Sequence, residues 1–168
     1  MSKNTDKLQR LIKKSQKIIP DTITPTVSKE LGDKYAQRIR KRTSSGFGVD
    51  SSGTQEKLKK LSDEYKEVRR KFKQNLDSST SVSKSNLTAT GQLLGAMTGE
   101  AANAKVIITF KNIRGKDLTG RDPGGLTNRQ LARYVQERGR SFFRFTKAER
   151  NAFVREVKQL IKAGLKKT

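Results

Sequence analysis

Apolar residues recur at helical spacing in several separate stretches of the chain. Leu8, Leu11, Ile12, Ser15, Ile18 and Ile19 share one helical face and meet Pro20, which lacks a backbone donor and restrains the residue before it. A short amphipathic helix is therefore expected over 5–19, with a Thr-rich linker reaching position 25. Val27, Leu31, Tyr35 and Ile39 then repeat every four residues beside Ala36. They predict a helix over 26–41 with one buried stripe and an exposed side carrying Lys34, Arg38, Arg40, Lys41 and Arg42. Glycine and small polar residues over 44–53 argue against any regular element there. Phe47 and Val49, with Asp50 beside them, either turn back onto the domain's own core or anchor on a neighbouring subunit.

Over 55–73, Leu58, Leu61, Tyr65, Val68 and Phe72 step by three and four, the seam of a helix packed on another helix. Lys57, Lys59, Lys60, Lys66, Arg69, Arg70, Lys71 and Lys73 fall around that seam, making it the most basic helix of the chain. Its charged side is either an ordinary solvated face or a contact for a polyanion. The Ser-rich run 74–86 is expected to be a mobile loop. A shorter helix is predicted over 87–97, capped by Thr88 or Thr90, with Leu93, Leu94 and Met97 on its apolar side. Gly91 and Gly95 would leave a smooth strip there for close packing.

One strand stands out, at 105–111, where Val106, Ile107, Ile108 and Phe110 combine β-branched and aromatic residues. Its expected partners are the stretches around 46–49 and 140–145, or a strand of another copy. Asp122-Pro123-Gly124-Gly125 reads as a turn inside a Gly-, Asp- and Arg-rich excursion, either a binding loop or a plain surface loop. Thr127 with Gln130, and Thr146 with Glu149, have capping-box spacing and open two last helices, the first closed by Gly139. Leu131, Tyr134 and Val135 line the first; Phe153, Val154, Val157, Leu160, Ile161 and Leu165 face inward on the second. Between them Phe142, Phe143 and Phe145 alternate with Arg140 and Arg144, a pattern that fills a core or stacks bases. The whole predicts an α+β fold: a small antiparallel sheet flanked by several helices, with an N-terminal amphipathic helix and linker over 1–25 and a single domain over 26–168.

Charge changes the picture most. Lys and Arg total 38 against 16 acidic residues, a formal net charge of +22 spread from Lys3 to Lys167. At low salt such a chain repels its own copies and attracts polyanions, so nucleic acid or an acidic protein surface is the natural partner. Hydrophobic residues are 32% of the 168, which predicts a small core. The absence of Cys and His argues against disulfides, the usual zinc sites and His-centred catalysis.

Asp63 and Glu64 are adjacent and point apart, and Asp117 and Asp122 lack a third carboxylate at a telling spacing. Gly115-Lys116 runs into Asp117 where a Walker A loop needs Ser or Thr. No enzyme, cofactor, metal or small-molecule substrate is therefore expected. No apolar run has the length of a membrane span, and the N-terminus lacks the apolar core of a signal peptide, so a soluble protein made in a cytoplasm is expected.

Three stretches carry a resemblance. Arg42-Thr43 leads through Gly46-Phe47-Gly48-Val49-Asp50 and Gly53 to Leu58, Leu61-Ser62, Tyr65 and Arg69-Arg70-Lys71. Leu87-Thr88-Ala89-Thr90-Gly91-Gln92-Leu93-Leu94 follows. Ala132, then Arg138-Gly139-Arg140-Ser141-Phe142-Phe143, precedes Thr146 and a closing helix. In this order they resemble the tail-completion family of phage head–tail connector, or neck, proteins, over about residues 30–166.

The resemblance implies a small sheet flanked by helices, in subunits that close into a ring of six or twelve between portal or adaptor and tail tube. Such subunits lie at the head–tail junction of the virion after synthesis in the host cytoplasm, and genomic DNA runs through the channel. On that basis Lys59, Lys60, Lys66, Arg69, Arg70, Lys73, Arg114, Lys116 and Arg121 are expected phosphate contacts, and Phe47, Val49 and Asp50 expected intersubunit contacts. The alternative is a protein that binds nucleic acid independently of sequence through its basic surface.

Overall fold

A computed structural model describes residue 13 and residues 18–112, 114–122 and 124–166. The chain runs through α1 (Pro25–Ser44), β1 (Phe47–Val49), β2 (Gln55–Lys57), α2 (Asp63–Lys71), a 3-10 turn (Lys73–Asn75), α3 (Gln92–Gly95), β3 (Met97–Glu100), β4 (Ile107–Phe110), α4 (Asn128–Glu137) and α5 (Lys147–Lys166). The fold is α+β. Its strands form two antiparallel pairs, β1 with β2 and β3 with β4.

The α1 helix starts where the Thr24 hydroxyl accepts from the Val27 amide and Pro25 presets the first turn. Its stripe is buried from Leu31 onward as its spacing predicts, with Tyr35 and Ile39 sealed from solvent and Val27 half-buried. The helix lies directly on β3. A Cβ on Gly32 would stand 2.6 Å from the Gly99 Cα and 2.8 Å from the Ile107 carbonyl, so the two backbones touch where neither residue has a side chain.

Polar groups pin this contact. Asp33 Oδ1 accepts from the Gly99 amide (2.7 Å) and the Thr98 hydroxyl (2.9 Å), while the Arg40 guanidinium donates to the Met97 carbonyl. The ammonium of Lys29, then the Gly99 amide, lower the Asp33 pKa to about 2. Around β3 and β4 the core gathers Ala36, Ile39, Leu58, Leu93, Leu94, Met97, Phe110 and Phe142.

Several elements differ from expectation. The strand at Ile107–Phe110 pairs with Met97–Glu100, in the register Met97↔Phe110 to Glu100↔Ile107, and with neither predicted stretch. In Met97-Thr98-Gly99-Glu100 only Thr98 clearly favours a strand, while Gly99 and Glu100 disfavour one. The stretch is extended because β4 supplies hydrogen bonds and α1 supplies a seat. Residues 44–53 are not free of structure, since they contain β1 and the tight turn of a hairpin with Phe47 opposite Lys57.

The helix foreseen over 55–73 is only Asp63–Lys71, capped by Ser62. Leu58 and Leu61 enter the core from extended chain, whereas Tyr65 and Val68 are exposed. Likewise the helix foreseen over 87–97 shrinks to Gln92–Gly95. Gly91, with φ +69°, stands at its N-cap rather than Thr88 or Thr90, and a Cβ on Gly95 would meet no neighbour.

Both capping boxes form: Thr127 with Gln130, and Thr146 with Glu149. Gly139 takes a left-handed φ of +78° after α4, as its position predicts. No residue of α5 is fully buried. Of the predicted N-terminal helix, residues 5–12 and 14–17 lie outside the described residues. At 18–22 the backbone is helical and continues through Pro20, with the Ile23 amide bonded to the Ile19 carbonyl at 2.7 Å, since proline forfeits only its own donor.

Candidate basic cleft

Two of the chain's arginines are drawn inside it. Arg42, which the helical wheel places on the exposed side of α1, is buried. It pairs with Glu149 and donates to the carbonyls of Phe142 and Arg144, each at 2.8 Å. Arg69, on α2, is 1% exposed. Its guanidinium donates to the carbonyls of Ser81 (2.7 Å) and Lys84 (2.9 Å) and lies 5.2 Å from the centroid of the Tyr65 ring. The Ser-rich run, expected to be loose, is thus tied to α2. Asn86 holds it further: fully buried, it donates to the Ser44 carbonyl and accepts from the Thr80 hydroxyl.

Around Arg69 opens a cleft of about 640 Å³, walled by α2, α4 and the loop 114–121. The loop is fixed from outside. Gln92 accepts from the Gly115 amide (2.8 Å) and donates to the Lys116 carbonyl (2.7 Å), and Asn75 donates to the carbonyl of the buried Leu118. Asp117 closes the loop on itself, its Oδ1 accepting from the Thr119 hydroxyl and from the amides of Thr119 and Arg121. The Thr119 hydroxyl and then the Arg121 amide hold this carboxyl below the usual range.

Leu87, Leu93, Leu131 and Val135 form the apolar floor, and Lys59, Lys60, Arg114, Arg138 and Arg140 stand around it. Arg140 is half-buried and donates to the Lys60 carbonyl at 3.3 Å. Burial lowers its pKa, opposed by the nearby Tyr65 and reinforced by the neighbouring charge of Arg69.

Among the described residues, none of these cations belongs to an ion pair. The Nε atoms of Arg69 and Arg114 are buried without a hydrogen-bond partner. Asp117 is the one acidic residue of the lining, and its Oδ1 is engaged in its own loop. The cleft therefore offers guanidinium and ammonium donors over aliphatic surface, chemistry suited to holding an anion.

The expected phosphate contacts separate into groups. Lys59, Lys60, Arg69 and Arg114 line the cleft, although Arg69 is too buried to meet a duplex. Lys66 and Arg70 pair with Asp63 and Glu67 one turn away on α2. Lys73, Lys116 and Arg121 are exposed outside the lining.

Of the expected intersubunit contacts, Val49 is sealed in the chain's own core and Phe47 is half-buried. Asp50 shapes the β1–β2 turn by accepting from the Ser52 hydroxyl and the Thr54 amide. Phe142 is buried in the core and Phe143 and Phe145 pack partly buried against it, at 6.3, 5.0 and 5.5 Å from Phe110, Phe110 and Tyr35 respectively.

Arg138 and Arg140 were not among the expected contacts. The signal for them is Gly139 between them, whose left-handed turn brings both cations to the cleft at the end of α4. Among the described residues, no group of three or more Asp or Glu side chains is placed to hold a metal ion, and no helix is long and apolar enough to cross a membrane. Comparison of the chain with family models, curated proteins and solved structures gives no match.

Proposed function

We propose that this chain is a structural subunit of a phage neck. In this reading it is a non-enzymatic component of a ring of six or twelve copies that joins or completes the tail at the head–tail interface, in contact with portal, adaptor or tail-tube proteins. The observation that supports it is convergence: the three stretches that carry the resemblance meet in space. The Val49 amide bonds the Ser141 carbonyl at 2.7 Å, and a Cβ on Gly48 would stand 2.7 Å from that same oxygen. Leu93, Leu94 and Phe142 share one core. The motif is therefore one packed unit and not three scattered likenesses.

A charge of +22 also favours a role inside a larger assembly, where acidic neighbours or the genome offset the repulsion between copies. The test is quantification of the protein in purified virions and in separated heads and tails. A fixed six or twelve copies at the neck is expected, and absence from virions overturns the proposal.

The charge of +22, with Lys73, Lys116 and Arg121 exposed outside the cleft, supports a second reading, sequence-independent binding of nucleic acid. It predicts recovery of the protein on intracellular nucleic acid and an affinity that falls steeply with salt.

A further inference from the structure

We propose that the basic cleft receives a short acidic segment of a partner protein, one that places an aliphatic side chain on the floor and carboxylates on the surrounding arginines. This assignment does not depend on where in a particle the chain sits. Three observations carry it.

The first is uncompensated charge. Among the described residues, buried Arg69 and half-buried Arg140 stand side by side with no carboxylate paired to either, and the one acid in the lining has its Oδ1 turned into its own loop. Paired carboxylates would supply the missing countercharge, and guanidinium groups hold carboxylates in two-point geometry.

The second is the floor. Leu87, Leu93, Leu131 and Val135 present aliphatic surface inside a recess, the usual seat of an anchoring side chain. A duplex is convex and would reach only the rim. A second copy of this chain, at +22, would bring like charge to the same place.

The third concerns the two tyrosines. A single nucleic-acid strand binds by stacking bases on open aromatic faces. In the cleft Tyr65 and Tyr134 are exposed, but one face of each ring already holds a guanidinium, Arg69 at 5.2 Å from the Tyr65 centroid and Arg138 at 4.9 Å from that of Tyr134. Together with an aliphatic floor that no base requires, the halved stacking surface favours a peptide over a single strand.

The experiment is fluorescence anisotropy on the full chain at physiological salt. Three labelled probes of equal net charge are compared: a peptide of leucines among aspartates and glutamates, the same peptide with serine for leucine, and an oligothymidylate. The leucine peptide is expected to bind roughly tenfold tighter than either other probe.

Arg140→Ala is expected to weaken that binding about tenfold, and so is Arg138→Glu, at an exposed position where the fold is not at stake. The paired change of Lys158→Ala with Lys162→Ala on α5 removes as much charge elsewhere and is expected to change binding less than about twofold. Failure of the leucine peptide to bind overturns the proposal. Equal or tighter binding of the serine peptide or the oligothymidylate overturns it too, as does an equal loss in the α5 variant. Because each of these is a binding result on isolated protein, it leaves the virion count free to come out either way.

Discussion

Arg42 and Arg69 are both removed from solvent, and each ties a distant segment to its helix by donating to two backbone carbonyls. They differ in countercharge. Arg42 has Glu149, which also caps α5, so one carboxylate neutralises the cation and starts a helix. Arg69 has carbonyl dipoles and one face of Tyr65, and its positive field extends into the cleft toward Arg140. A buried cation closed by an acid acts as an internal fastener. One left open makes its surroundings receptive to an anion.

Substitutions separate the two regions by size of effect. Arg42→Met leaves Glu149 without its cation and two inward carbonyls without donors, and is expected to lower unfolding stability by about 3–5 kcal/mol in urea titration. A loss below about 1 kcal/mol would show that Arg42 does not fasten α5. Arg69→Met gives up two hydrogen bonds but relieves the repulsion with Arg140. Its expected cost is about 1–2 kcal/mol in the same titration, with thermolysin cleavage appearing first in the loop 78–85.

Next comes a pH effect on the fastened side. The folded-state pKa of Asp33 is lowered from 3.8 to about 2, so its contribution is complete above 3.8 and is lost as pH falls through about 2. Asp33→Asn, which retains an acceptor for Gly99 and Thr98, is expected to flatten the thermal midpoint across that window. A slope unchanged by the substitution would remove Asp33 as its cause. Smallest is Arg138→Ala, which touches an exposed cation and is expected to stay within about 0.5 kcal/mol of the parent stability. The cleft's affinity for an acidic peptide should fall all the same.

The fastened region was the more legible in the sequence. Val27, Leu31, Tyr35 and Ile39 announce α1 because its stripe is repetitive, and both capping boxes announce helix starts because a cap is settled within four residues. Leu58 and Leu61 mislead, since the spacing that continues into Tyr65 and Val68 is met as well by an extended arm that buries its leucines before Ser62 opens α2. Met97-Thr98-Gly99-Glu100, with Thr98 its one strand-favouring residue, is a strand chiefly through tertiary partners, which no local pattern records.

Beside the cleft, the pairing of Lys66 with Asp63 and of Arg70 with Glu67 on α2 follows i,i+3 helical spacing and could be read beforehand. The burial of Arg69 beneath the carbonyls of Ser81 and Lys84 could not, because it depends on how a serine loop crosses a helix. Nor could the meeting of Arg69 with Arg140, which α4 and the turn at Gly139 bring together from the other end of the chain.

The bare contact between Gly32 and Gly99 bears on ancestry. Any side chain at either position would be driven into backbone of the other's element, so the two sites are hostage to each other during divergence. Where similarity across the rest of the chain has faded, a remote relative sharing this helix-on-strand seat should keep small residues at both positions or replace both together. That linked pair is a marker of common descent that survives the loss of every charged residue around it.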